Sequence, residues 1–232
     1  MQDILGVQFQ SVGTSNTDIQ NVFLNNGTGE DTINLYTPGV GYTTYAWSTE
    51  TYKNDYEYAE DLGAGWADND AIRFCKENEN EVTLDLGQGF WLYMKGDGSN
   101  DPSVQIAGEV KTSESETISM TAGLQDIVIM PYPTSYDIQC IQLLNGTGED
   151  TINIYTPGVG YTTYSWSTET YKNDYEYAED LGPGWADNDA IRFCADNENA
   201  ISLGVNQGVW LYMKGDGVNA PQVKFVNPSN LK

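Results

Sequence analysis

Histidine is absent from all 232 residues of this sequence. It is the side chain that most often moves protons near neutral pH and the commonest ligand of transition metals. Its absence excludes Ser-His-Asp and Cys-His nucleophilic sites. Carboxylate pairs could still act as acid and base, but no spacing of the acidic residues selects such a pair. We therefore expect a protein that is not an enzyme.

Basic residues and long apolar runs are also scarce. Ten Lys and Arg stand against 34 Asp and Glu, so the net charge is −24. Such a surface repels phosphate backbones and anionic membranes, and we expect no nucleic-acid partner. No window of 18 apolar residues occurs, so we also expect no membrane span. Adaptation to salt alone would explain the same acidity.

The chain contains a long internal repeat. Residues 26–98 align without a gap with residues 145–217, and 61 of these 73 positions are identical. Outside this block the pattern persists while the residues diverge. We interpret the chain as a tandem duplication of two homologous β domains, residues 1–110 and residues 111–232.

Each copy has short alternating runs between turn residues, spaced as in an all-β sandwich or barrel. The fold that we predict is therefore all-β, with two tandem domains that resemble sandwiches or barrels. Alternation places Phe90, Leu92 and Met94 on the core face of one strand, and Trp91 and Tyr93 on the other face. The candidate strands of the first copy are 4–12, 18–24, 32–37, 42–48, 56–61, 71–76, 81–86, 89–96 and 103–109.

One predicted strand occurs only once. ETISMTAG, at 116–123, leads into LQDIVIM, whereas the matching QDILGVQF begins at Gln2. Two domains would share the strand near 116–122, and one would keep an unpaired sheet edge that a neighbouring subunit could cover. A segment removed upstream of Met1, or a first domain with fewer strands, would explain the same pattern. The residues expected at this edge or its donor are Ile4, Val7, Phe9, Ile118, Met120, Val223 and Phe225.

Acidic loops of both copies are candidates for calcium binding. Carboxylates separated by glycines suit Ca²⁺, which takes six to eight oxygen ligands in flexible geometry. The EF-hand pattern is absent, and a solvated acidic loop is the alternative. The candidate ligands are Asp55, Glu57, Glu60, Asp61, Asp68, Asp70, Asp174, Glu176, Glu179, Asp180, Asp187 and Asp189.

Four tryptophans could stack on sugar rings. Trp66 and Trp185 are equivalent in the repeat, as are Trp91 and Trp210, and two sites would give bivalent avidity. Aromatic side chains on a half-covered sheet also serve for packing across strands or between domains.

Two scarce residue types also fall at equivalent places. Arg73 and Arg192 are the only arginines, and each is expected to pair with a carboxylate or form a clamp of hydrogen bonds. Cys75 and Cys194 are equivalent, whereas Cys140 has Asn in the first copy. A Cys140–Cys194 disulfide and buried apolar thiols are both open.

LGQGFWLYMKGDG at 86–98, VNQGVWLYMKGDG at 205–217 and TAGLQDIVIMPYP at 121–133 resemble a pattern in tandem β domains of secreted bacterial surface proteins. In those domains a Gly-x-Asn-Leu-Ile strand opens a unit and a Gly-x-Gly-Phe-Trp strand lies near its end. Gln-Asp replaces the usual Trp-Asn at the opening. The resemblance implies an extracellular β repeat and identifies no catalytic or binding residues.

Our leading hypothesis is an extracellular or cell-surface structural subunit that assembles with itself, head to tail, into a filament, pilus-like fibre or surface layer. Strand complementation between subunits would join the copies. The alternative is a tandem carbohydrate-binding module, lectin-like, in which glycans are the partner and calcium a possible cofactor.

Overall fold

The computed structural model describes residues 2–6, 8–10, 16–55, 60–75, 78, 80–100, 103–173, 179–194 and 199–230. In these residues the regular structure is β-strand, and the only helical segments are single 3₁₀ turns. The turns lie at Ile19–Asn21, Ile138–Cys140 and Pro228–Asn230. The prediction of an all-β chain is confirmed.

Strands of the N-terminal half are β1 (Gln2–Gly6), β2 (Phe9–Gln10), β3 (Asn16–Asp18), β4 (Val22–Asn25), β5 (Thr32–Thr37), β6 (Gly41–Tyr52), β7 (Asp61–Ala67), β8 (Thr83–Asp85), β9 (Gly89–Tyr93), β10 (Ser103–Ile106) and β11 (Glu109–Val110). Those of the C-terminal half are β12 (Ser115–Ser119), β13 (Leu124–Ile129), β14 (Tyr136–Asp137), β15 (Ile141–Leu144), β16 (Thr151–Thr156), β17 (Gly160–Tyr171), β18 (Asp180–Ala186), β19 (Ser202–Leu203), β20 (Gly208–Met213) and β21 (Gln222–Val226).

Each half is built on a five-stranded antiparallel sheet. The strand order is β1-β9-β5-β6-β7 in the N-terminal half and β13-β20-β16-β17-β18 in the C-terminal half. Smaller sheets accompany them, among them β10-β4 and β3-β8 in the first half and β12-β21-β15 and β14-β19 in the second. None of the described sheets closes on itself, so the architecture is sandwich-like and the barrel alternative does not form.

Each half also has its own apolar core. In the N-terminal half Ile33 and Phe90 of the large sheet pack with Val22 and Leu84 of the small sheets. Equivalent residues of the C-terminal half form a second cluster, which Met120 joins. An aliphatic and aromatic layer between two sheet faces is what alternating strands bury, and this burial is the main stabilising term.

The alternation along β9 sets these faces as expected. Phe90 is fully buried, and Leu92 and Met94 are nearly so. Trp91 is half-buried on the opposite face and Tyr93 is 41% exposed. The predicted separation of core and outer residues is therefore confirmed for this strand.

Strand predictions fail where glycines are dense. The prediction of 32–37 is confirmed by β5. The strand Asp61–Ala67 was missed, because its Gly63 and Gly65 look like loop residues and Gly63 has a φ of +71°. Of the strand predicted at 71–76, the described residues 71–75 have bridges at Ile72 and Arg73 only. Residues 56–59 of the predicted strand 56–61 lie outside the described part.

The identical NGTGED segments form a turn around a buried carboxylate. Asp31 has no exposed surface, and it accepts hydrogen bonds from the backbone of Thr28 at 2.7 Å and of Lys95 at 2.7 Å. Asp150 accepts the equivalent bonds in the second copy. A buried carboxylate is tolerated when donors satisfy it. The acidic residue in this motif is therefore part of the fold.

Candidate functional site

The two halves differ in the small sheet that carries β10 or β21. In the C-terminal half β21 lies between β12 and β15. In the N-terminal half β10 pairs with β4 alone. Within the residues that the structure describes, no strand pairs with the outer edge of β10. We call this side of Ser103–Ile106 the open edge.

β12 covers the equivalent edge in the C-terminal half. Ile118 lies opposite Val223 and Glu116 opposite Phe225, in antiparallel register. The amide of Met120 extends the ladder by donating to the carbonyl of Pro221 at 2.9 Å. Both Val223 and Phe225 are fully buried as a result.

The open edge leaves its apolar side chains partly in water. Val104 and Ile106 occupy the positions of Val223 and Phe225, pack against the N-terminal core and remain half-buried. Phe23, on the outer face of the neighbouring β4, is 42% exposed. The edge therefore combines backbone groups that no described strand pairs with and accessible apolar surface.

Some predicted assembly residues lie elsewhere. Ile4 is 1% exposed and packs toward Gly208 of the other half, so it is not at an open edge. Val7 lies outside the described residues, as does the side chain of Phe9, whose backbone pairs with Val110. The remaining four, Ile118, Met120, Val223 and Phe225, belong to the covered edge. Val104 and Ile106 were missed, although PSVQI aligns with PQVKF.

Aromatic rings join the outer faces of the two large sheets. Trp91 of β9 packs edge-on against Tyr155 of β16, with 5.2 Å between ring centroids. Trp210 of β20 makes the equivalent contact with Tyr36 of β5 at 4.9 Å. The aromatic seam, as we call it, consists of Tyr36, Tyr42, Trp91, Tyr155, Tyr161 and Trp210.

Indole and phenol groups interact within the seam. Burial raises the pKa of Tyr42, and a hydrogen bond from Trp91 partly opposes this rise. Burial likewise raises the pKa of Tyr161, opposed by a hydrogen bond from Trp210. Tyr42 and Tyr161 nevertheless remain 52% and 51% exposed.

Glycines allow the halves to approach closely beside this seam. A Cβ atom on Gly89 would lie 2.2 Å from Cγ2 of Ile127, and one on Gly208 would lie 2.6 Å from Cγ2 of Ile4. The amide of Ile129 also donates to the carbonyl of Gly87 at 2.9 Å. The contact between the halves is close-packed as well as aromatic.

A cleft of about 360 Å³ opens at the C-terminal side of the seam, lined by Gln125, Asn153, Tyr161 and Trp210. The hydroxyl of Thr163 donates to Oδ1 of Asn153 at 2.5 Å, which fixes the orientation of that amide. A cleft with aromatic walls and a few fixed polar groups is typical of small-ligand sites. Of the predicted aromatics, Trp210 is the one that lines it.

Trp66 and Trp185 have a different environment. Both are fully buried, and their indole N–H groups donate to the carbonyls of Val22 and Ile141, each at 2.6 Å. No ring face is open to a sugar, so the ligand interpretation does not hold for these two residues. They are core side chains with satisfied polar groups.

The acidic loops do not converge. Asp68 caps its own turn by accepting from the amides of Asp70 and Ile72, and Asp61 accepts from Gly63. Asp187 and Asp180 do the same in the second copy.

Across the described ranges no three Asp, Glu or Cys side chains are placed to share a metal ion. Turn capping explains Asp61, Asp68, Asp180 and Asp187, and backbone amides of Asp70 and Asp189 serve the same turns. Glu60 lies 3.8 Å from Lys53. Glu57, Asp174 and Glu176 lie outside the described residues, and Asp55 and Glu179 join no cluster that the structure shows.

The arginines and cysteines are structural in their contacts. Arg73 donates through Nη2 to the carbonyls of Leu62, Gly63 and Ala64, and through Nε to Thr51. Arg192 makes the equivalent hydrogen bonds, so the clamp alternative is observed. All three cysteines are free thiols, and the disulfide does not form.

No helix among the described residues is long and apolar enough to cross a membrane. Comparison of the chain with protein-family models, with curated proteins and with solved structures finds no match. The open edge, the seam and the cleft are the features of the described residues that bear on function.

Proposed function

We propose that this chain is a structural subunit of the cell exterior that assembles with other copies of itself, as in a fibre or surface layer. The open edge of β10 is the observation that carries the proposal. An uncovered strand presents a row of backbone donors and acceptors to any strand that can align with it. Half-buried Val104 and Ile106 add apolar surface that pairing would cover.

The two halves are, in this proposal, homologous domains that arose by duplication. Equal strand order in the large sheets and equivalent buried residues in the two cores support this interpretation. Duplication gives each chain two edges of one kind, of which β12 covers one. The acidity of the chain and its resemblance to secreted β repeats support an exterior location.

Light scattering over a range of concentrations tests the proposal directly. We expect the molar mass to rise with concentration and Val104→Lys to hold the chain monomeric, because a charge at the edge opposes strand addition. Val218→Lys adds the same charge at a side chain that is 86% exposed, and it should assemble as the wild type does. Thermal unfolding confirms that both variants are folded. A wild-type monomer at every concentration would exclude self-assembly.

The cleft beside the seam favours a second candidate function, binding of a neutral oligosaccharide. Tyr161 and Trp210 offer apolar ring surface, and the amides of Asn153 and Gln125 offer hydrogen bonds to hydroxyl groups. A net charge of −24 disfavours acidic glycans.

Tryptophan fluorescence titrated with cellotetraose and with mannotetraose tests this candidate. Saturable quenching should weaken in Asn153→Ala and persist in Gln142→Ala, which changes a polar side chain of the other sheet. No response to either sugar would count against it.

A further inference from the structure

The open edge of one chain is suited to pair with the open edge of a second copy of the chain. We infer that β10 of one copy pairs antiparallel with β10 of another about a two-fold axis, which creates a four-stranded sheet of β4, β10, β10 and β4. This inference rests on the proposed function and names the partner of the edge. An isologous contact of this kind needs one self-complementary surface and closes as a dimer, so this dimer is the building unit of the proposed fibre or layer.

The number of strands available argues against pairing of β10 with the β12 strand of a neighbouring copy. That strand already pairs with β21 over Ser115–Ser119. Of the described strands it is the one that covers an edge of this type, and each chain has two such edges. A copy that gave β12 to its neighbour's β10 would uncover its own β21. Pairing β10 with β10 uses one open edge from each copy, and among the described strands it leaves no edge of this type uncovered.

The residues of the edge specify the register. Val104 and Ile106 lie on the core face, and Ser103 and Gln105 on the other. Residues directly opposite in an antiparallel ladder share a face. A ladder centred on Gln105 therefore places Gln105 opposite Gln105 of the second copy, and Val104 opposite Ile106. A ladder centred on Val104 would place Ile106 opposite residue 102, beyond the start of β10 at Ser103.

Charge also favours a copy of this chain as the occupant. Ser103–Ile106 carries no charged residue, in a chain with a net charge of −24. Two copies repel each other over most of their surfaces and can meet most easily at a neutral strip. Charged side chains or prolines usually guard exposed edges, and these four residues have neither. Added salt screens the remaining repulsion, so it should strengthen the pairing.

Opposite charges placed at residue 105 test the register. Lysine is tolerated there, because Lys224 occupies the equivalent position of β21. In sedimentation equilibrium of the full chain, Gln105→Lys and Gln105→Glu should each weaken the dimer roughly three- to tenfold, since like charges directly opposite destabilise a ladder. An equimolar mixture of the two should recover wild-type affinity or exceed it.

The covered edge provides the matched control. Lys224→Gln and Lys224→Glu change charge at the equivalent residue, where β12 blocks access, and both should associate as the wild type does. Self-association that ignores the charge at residue 105, or that the mixture does not restore, overturns the pairing and leaves the proposed function standing. A chain that stays monomeric across concentration and salt overturns both.

Discussion

Trp91 packs edge-on against Tyr155 at 5.2 Å, a contact that joins the two halves of the chain. Its equivalent in the repeat is the contact between Trp210 and Tyr36 at 4.9 Å. A tryptophan of each half packs against a tyrosine of the other half. The contact surface is therefore self-complementary, as in a two-fold dimer. The halves meet within one chain as two subunits would meet across such an axis.

Removal of one tryptophan should weaken this junction. We expect Trp91→Ala to lower the free energy of unfolding by about 2 kcal/mol, from lost apolar burial and lost edge-to-face contacts. Tyr93→Ala, on the same face of β9 but 41% exposed, should change it by less than about 0.5 kcal/mol. Urea unfolding measures both. Equal effects would show that the seam contributes little to stability.

The glycines beside the seam make a second prediction. Gly89→Ala should destabilise the chain by about 1–3 kcal/mol, because the new Cβ would meet Ile127 at 2.2 Å and force the halves apart. Gly148→Ala is the control, since nothing lies within 4 Å of the position of its Cβ. In thermal unfolding, the midpoint of Gly89→Ala should lie clearly below that of Gly148→Ala. A Gly89→Ala chain as stable as the control would mean that the junction adjusts without strain.

The sequence predicts most of the elements whose alternation is strict. β9 buries Phe90 and exposes Tyr93 as expected, because period-two alternation reports directly on the two faces of a strand. β7 was missed, because Gly63 and Gly65 carry no side chain and so leave no alternating pattern to read. The 3₁₀ turn at Ile19–Asn21 gave no signal either, since Gln20 is recognisable only from its partners, the backbones of Trp66 and Phe74.

The site is less predictable than the fold. One strand for two similar edges can be counted from the sequence, but which half keeps β12 depends on packing around Met120 and Phe225. Trp66 is buried and Tyr161 is exposed because one sheet face packs against another sheet and the other does not. The sequence alone does not show which face this is. The sequence left sugar stacking and packing both open for Trp66, and its burial and its hydrogen bond to Val22 decide for packing.

Asp126 should make stability depend on pH. Burial opposite Leu211 raises the pKa of this carboxyl to about 6, opposed by the amide of Ile127. Folding then favours the protonated carboxyl. The contribution of Asp126 to the free energy of unfolding is therefore fully present below pH 4 and is lost as the pH rises through 6. Asp126→Asn should stabilise the chain above pH 6 by about 1–2 kcal/mol, allowing for residual solvent contact, and by little below pH 4.

Unfolding at pH 3.5, 5 and 7.5 measures this difference against wild type. Asp216→Asn is a control of opposite sign, because backbone and side-chain hydrogen bonds from Asn219 and Val218 lower the pKa of Asp216. That variant should lose stability at pH 7.5. A constant difference between Asp126→Asn and wild type would contradict the argument.

Thiol reactivity should distinguish the cysteines. Burial raises the pKa of Cys140 to about 12, whereas Cys75 and Cys194 are half-buried. Because the thiolate is the reactive form, iodoacetamide should modify Cys75 and Cys194 in the native chain and Cys140 only after unfolding. Peptide mass spectrometry reports each site. Three modified thiols in denaturant without reductant confirm that no disulfide is present, and native labelling of Cys140 would contradict its burial.

The symmetry of the seam predicts the behaviour of residues 111–232 alone. This half has its own core and a small sheet that β12 completes, so we expect it to fold. In this fragment Trp210 would lose its contacts with Tyr36 and Tyr42. Tyr155 and Tyr161 are the repeat equivalents of these two tyrosines, and those of a second copy could replace them. We therefore expect a dimer in sedimentation equilibrium, which Trp210→Ala should weaken at least tenfold, by loss of about 1.4 kcal/mol or more. Tyr212 lies two residues after Trp210 on β20 and is not part of the seam, so Tyr212→Ala should dimerise normally. A folded monomer at high concentration would show that the junction depends on features that the two halves do not share.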